Sequence, residues 1–146
     1  MVEKKPQVLI IDDDSDMRST LSDILQEQGY KVRGYGKGKQ ALDWLKKNPF
    51  DVVIVDIKLP DADGMELVEH IRLINPESAV IMMTGYASVE TAIEAMKEGA
   101  YAYIVKPFNI DELNAVIKKA LREIRLSLQN KQLIDKLQRA NRELER

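Results

Sequence analysis

The sequence predicts a doubly wound α/β fold, a parallel sheet covered by helices on both faces. Two observations carry this. Residues 8–11, 52–55, 80–83 and 103–105 form short apolar runs, rich in β-branched residues and too short for helices. They lack the polar alternation of a half-exposed strand, so both their faces must be covered. Between them, apolar residues recur at helical spacing, so strands and helices alternate along the chain.

In order, the first strand ends in Asp12-Asp13-Asp14, with Asp14 placed as a helix cap. A helix over 15–28 follows, with Met17, Leu21, Ile24 and Leu25 on one face and Gly29 at its stop. Residues 30–35 form a weaker strand. A helix over 38–47 buries Ala41, Leu42 and Leu45, with Trp44 packing beside them. The third strand runs into Asp56, and Asp61, Asp63 and Gly64 read as a turn after Pro60. The helix over 65–74 carries the only histidine, His70, on its exposed side, with no second histidine to make a ligand pair. The fourth strand ends at Thr84, a helix over 88–98 stops at Gly99, and the fifth strand ends at Lys106-Pro107. Asn109 with Glu112 gives the last helix a start like a capping box.

Composition narrows the function classes. The formal net charge of −2 gives no sign of a nucleic-acid or membrane binder. The charge is uneven: residues 111–146 hold nine Lys and Arg against six Asp and Glu, so the acidic excess lies in the globular part. The absence of cysteine excludes disulfides and thiol catalysis. No signal-peptide core is seen, and no apolar run approaches the roughly 20 residues that span a bilayer. A soluble, cytoplasmic protein is expected.

In doubly wound folds, ligands bind beyond the carboxyl ends of the strands. Here those ends carry Asp12 and Asp13, Asp56, Thr84 and Lys106. Each alone has an ordinary reading as a cap, a strand-end residue or a turn lysine. Together they have a chemical logic. Clustered carboxylates repel one another unless a cation intervenes. Hard oxygen ligands select Mg²⁺ or a similar ion. Lys106 and Thr84 would hold phosphoryl oxygens, leaving one carboxylate as nucleophile.

These segments resemble the bacterial response-regulator receiver family: residues 8–14, Val52-Val-Ile-Val-Asp56-Ile-Lys-Leu-Pro60, Asp63-Gly64, Met83-Thr84-Gly85 and Tyr103-Ile-Val-Lys106-Pro107-Phe108. The resemblance covers about residues 6–124 as a receiver domain. It implies a flavodoxin-like five-stranded sheet of order 2-1-3-4-5 with five helices, the last extended. It implies Asp56 as phosphoacceptor, with Asp12, Asp13, Asp56 and the Lys58 backbone carbonyl as Mg²⁺ ligands. Thr84 and Lys106 would contact the phosphoryl group, and Tyr103 would turn inward as Thr84 moves. The Lys106-Pro107 bond is often cis in the family. Tyr101, two residues before Tyr103 and on the same face, is the weaker switch candidate. Lys58 and Tyr86 flank the path of an attacking water, and a bulky Tyr86 is expected to slow loss of the phosphoryl group. The implied partner is a sensor histidine kinase, and the implied role is a switch rather than an enzyme. The stretch from Thr84 to Ala100 is similar to receivers of NtrC-type, sigma-54-dependent transcription regulators, whose output domains follow a helical linker.

Residues 125–146 predict such a linker. Leu126, Asn130, Leu133, Leu137, Ala140 and Leu144 recur at alternating spacings of four and three, a heptad seam with a polar residue at one core position. A homodimer is expected, through this helix or through the face made by the fourth helix, fifth strand and fifth helix. The alternative is a single amphipathic helix, packed on the domain or frayed in solution. An output domain is expected beyond residue 146, with no direct nucleic-acid binding by this segment.

Two rival functions remain open from sequence. One is a haloacid-dehalogenase-like phosphatase with Asp12 as nucleophile. It would leave Asp56 without a role, and only Asp111 and Glu112 could supply its further acidic pair. The other is a degenerate receiver serving as a dimerisation module, against which the complete residue set argues.

Overall fold

The computed structural model describes residues 5–85 and 88–144. Strands β1 (Gln7–Ile11), β2 (Lys31–Tyr35), β3 (Val52–Asp56), β4 (Ala79–Thr84) and β5 (Ala102–Val105) form one parallel sheet in the order β2-β1-β3-β4-β5. Helices α1 (Ser15–Glu27), α2 (Gly38–Lys47), α3 (Gly64–Ile74), α4 (Val89–Lys97) and α5 (Ile110–Leu144) alternate with them. The expected doubly wound fold is the observed one.

The apolar runs are buried because each strand feeds two cores. Leu9, Ile11, Val53, Val55, Val80 and Met82 pack against α2, α3 and α4. Val8, Ile10, Val52, Ile54, Ile81 and Met83 pack against α1 and α5. Successive side chains point to opposite faces, so both alternating sets must be apolar. That is why no polar alternation is visible in the sequence.

Helix ends follow local chemistry. Gly29 and Gly99 adopt φ of 96° and 102° just beyond α1 and α4, a conformation that penalises any Cβ. Asp14 caps α1, accepting hydrogen bonds from the N–H groups of Asp16 and Met17. Ser88 and Thr91 form a reciprocal capping box at α4. At α5, Asn109 accepts the N–H of Asp111, the second helical residue, rather than that of Glu112 as a capping box would require.

Tyr101 corrects the sequence reading. It packs with the core on the α1 and α5 side, whereas Tyr103 packs with the opposite core. Residue 101 lies before β5 begins, so strand alternation does not extend to it.

Candidate functional site

The sheet order reverses between β1 and β3, which are hydrogen-bonded neighbours. Asp12 follows β1 and Asp56 ends β3, so the fold places these two carboxylates side by side at the switch point. Asp12, Asp13 and Asp56 each offer an oxygen, and the three oxygens lie within 4.8 Å of one another. Asp12 is buried, Asp56 half-buried and Asp13 exposed.

A buried carboxylate is costly unless it is paired and hydrogen-bonded. Both oxygens of Asp12 are engaged: Oδ1 accepts the Asp14 N–H at 3.0 Å and Oδ2 accepts Lys106 Nζ at 2.8 Å. Lys106 also donates to Asp56 Oδ2 at 2.9 Å, while Asp56 Oδ1 accepts the Lys58 N–H at 3.1 Å. Burial pushes the Lys106 ammonium toward neutrality, but its hydrogen bonds and attraction to Asp12 and Asp56 prevail and raise its pKa. The lysine therefore stays charged. Three carboxylates around one ammonium carry an excess of two negative charges, which suits a divalent cation held by oxygen ligands.

Thr84 is buried at the end of β4, in register with Val105. Its carbonyl accepts the Lys106 N–H at 2.7 Å, which brings the two chain segments together. The Lys106–Pro107 bond is cis. Tyr103 is half-buried, and its hydroxyl lies 2.7 Å from Thr91 Oγ1 in the first turn of α4. The start of α4 is thus linked to β5 through this contact. Tyr86 lies outside the described residues.

Two residues beside the site do more than make a turn. Asp61 caps α2 from across the loop, accepting Gly38 N–H at 2.9 Å and Lys39 N–H at 3.2 Å. The bond from Gly38 is the main cause that holds its carboxyl below the usual range. Lys37, in the N-cap position of α2, makes no side-chain cap, which is the sequence sign that a distant acceptor is needed. Gly64 lets α3 start close under the loop that follows Asp56. A Cβ there would sit 2.6 Å from Ile57 Cα and 2.8 Å from the Asp56 carbonyl oxygen. Its Asp-Gly context is the sign of a turn, but close backbone approach is the stronger constraint. His70 is exposed, and Trp44 packs on the core with the Arg33 guanidinium 5.3 Å from its ring centroid.

Doubly wound parallel sheets bind ligands at the switch point, and this five-stranded one carries an acid cluster and a lysine there. The response regulator receiver domain family matches residues 8–118. The chain belongs to that family. It is 38% identical over 127 residues to the transcriptional regulatory protein ZraR of Klebsiella oxytoca, covering 87% of this chain and 29% of that protein. The chain thus spans less than a third of this curated relative. The beryllofluoride-activated NtrC4 receiver domain dimer is similar in structure, with a TM-score of 0.78 and 37% identity over 81% of this chain and 98% of that one. A response regulator from Burkholderia pseudomallei, solved with a phosphorylated aspartic acid, a calcium ion and citrate, gives a TM-score of 0.75 and 30% identity, covering 84% of this chain and 72% of that one.

Proposed function

We propose that this domain receives a phosphoryl group on Asp56 from a sensor histidine kinase, in the cytoplasm, and so controls a transcriptional output domain. The observation that carries the reading is the shared lysine: Lys106 holds Asp12 and Asp56 together, beside Asp13. An Asp56 oxygen attacks phosphorus as the bond to the donor nitrogen breaks, and the donor imidazole leaves. Asp12, Asp13, Asp56 and the Lys58 carbonyl would hold Mg²⁺, whose chemistry is to neutralise charge on the transferring group. Lys106 is already charged and placed to donate to a phosphoryl oxygen. Thr84 would hydrogen-bond another.

The added negative charge then biases a two-state element. Thr84 would move toward the phosphoryl group, and Tyr103 would turn into the vacated space. The Tyr103–Thr91 contact would break or re-form, which displaces the start of α4. Homodimerisation would follow through the outer part of α5 or through the face of α4, β5 and α5. Exposed Ile93 and Met96 on α4 and Val105 on β5 supply apolar surface there. The NtrC4 receiver dimer supports that part of the reading.

The phosphatase alternative is disfavoured by Asp12 itself. Its side chain is fully buried, whereas that of Asp56, with its oxygens engaged likewise, is partly exposed and open to a donor. Intact-mass measurement after acetyl phosphate and Mg²⁺ decides between them. The expected result is one added phosphoryl group, lost in Asp56→Asn and with chelator. Turnover of phosphate esters with label on Asp12 would instead establish the phosphatase. No Mg²⁺ binding and no adduct would establish a docking module.

A further inference from the structure

Strand β2 carries an unusual pair, Gly34 at its interior and Gly36 just past its end. Glycine weakens a strand and marks a place where something approaches closely. The positive-φ glycines among the described residues are Gly29 and Gly99, so backbone conformation does not require glycine at 34 or 36. What fills the space is Arg18 of α1. A Cβ at Gly34 would lie 3.4 Å from Arg18 Cδ, and one at Gly36 would lie 2.8 Å from Arg18 Nη1.

The guanidinium laid over this bare edge has a destination. Arg18 Nη1 donates to the backbone carbonyl of Asp12 at 2.6 Å. The Asp12 N–H in turn donates to the Tyr35 carbonyl at 3.1 Å, between the two glycines. The Asp12 backbone is therefore held on both sides by β2 and by the arginine resting on it. The Asp14 N–H closes the turn onto Asp12 Oδ1. Asp13, exposed and with its side chain in the acid cluster, sits on this turn.

We propose that Arg18, seated on Gly34 and Gly36, is a positioning residue for the acid cluster. It fixes the turn that carries Asp12 and Asp13 and so presets their oxygens for a divalent cation. The inference rests on the receiver reading of the cluster, but it concerns cation affinity and does not require phosphoryl transfer. Groups that orient a metal ligand from behind typically change affinity by about 10–100-fold when removed. Arginine is suited to the task because its planar fork can pack flat while donating, which a lysine cannot reproduce.

The test titrates the full chain with Mg²⁺, following the amide resonances of Asp13 and Asp14, with acetyl phosphate uptake measured in parallel. Arg18→Met keeps the packing stem and removes the donor. It is expected to weaken Mg²⁺ binding about tenfold and to raise the half-saturating Mg²⁺ for phosphorylation equally, with the rate at saturating Mg²⁺ nearly unchanged. Arg18→Lys should recover only part of the loss. Gly36→Ala retains the arginine but displaces its guanidinium; it should weaken binding alone, yet add nothing in the Arg18→Met background. Mg²⁺ affinity within twofold of the parent in both Arg18→Met and Gly36→Ala overturns the proposal. Should Arg18→Met not fold, Gly36→Ala decides alone. A parent chain that binds Mg²⁺ but takes no phosphoryl group overturns the phosphoacceptor reading only, and the affinity ratio still judges Arg18. A parent that binds no Mg²⁺ overturns both.

Discussion

The inner and outer halves of α5 belong to one unbroken helix of 35 residues but carry their apolar stripes on opposite faces, one buried and one exposed. In the inner half, Leu113, Ile117 and Ala120 are buried against the sheet and Ile124 packs beside them. In the outer half, Leu126, Leu133, Leu137 and Leu144 are 50–83% exposed. At 100° per residue, the two apolar stripes lie roughly 150° apart around the axis. The sheet-facing side does continue outward, but as Ser127 and Lys131. Both meet Glu77 in the loop before β4, Ser127 Oγ at 3.1 Å and Lys131 Nζ as an ion pair. The outer leucines therefore do not continue the core of their own domain. Their stripe matches the expected heptad seam and lies exposed, as the proposed dimer requires.

The comparison can be tested most sharply from inside. Ile117→Ala should cost about 2–5 kcal/mol of unfolding free energy, read by urea denaturation, because it leaves a cavity in a close-packed core. A cost near that of a surface change would mean that the inner half is not docked as described. Gly64→Ala comes next, at about 1–3 kcal/mol, since its Cβ would press on backbone that cannot yield cheaply. Equal stability to the parent would show that the loop below Asp56 has room to move.

At the junction, Lys131→Glu should leave global stability nearly unchanged and speed amide exchange around residues 125–131. Acid should do the same. Glu77 is held below the ordinary 4.5, first by its bond from Lys131 and then by that from Ser127. A depressed carboxyl contributes stability above its unfolded pKa, and that contribution is lost as pH falls through the folded value. Protection of the junction should thus fade only below about pH 4.5, and should show no such acid step in Lys131→Glu. The smallest thermodynamic effect is expected for Leu137→Ala, within about 0.5 kcal/mol by unfolding at low concentration. Sedimentation should nevertheless show weaker self-association. Loss of several kcal/mol with no change in association would reverse the roles of the two halves.

Much of this was legible beforehand. The buried strands, their helices, the cap at Asp14, the stops at Gly29 and Gly99 and the acid and lysine positions all follow from local pattern. Local pattern makes Asp61 only a turn residue, because its partners lie 22 and 23 residues away. Strand alternation puts Tyr101 on the face of Tyr103, but residue 101 precedes the strand and packs on the other core.

By itself, then, the sequence determined which segments become strands and helices, and which chemical groups stand at the strand ends. Periodicity and capping act within a few residues, so they can be read along the chain. Tertiary structure alone decided that Lys106 bridges Asp12 and Asp56, that Gly34 and Gly36 make room for Arg18, and that Glu77 meets the outer half of α5. Those contacts join residues from different strands and helices. They exist only once the sheet is assembled, because packing, not local preference, sets which distant groups meet.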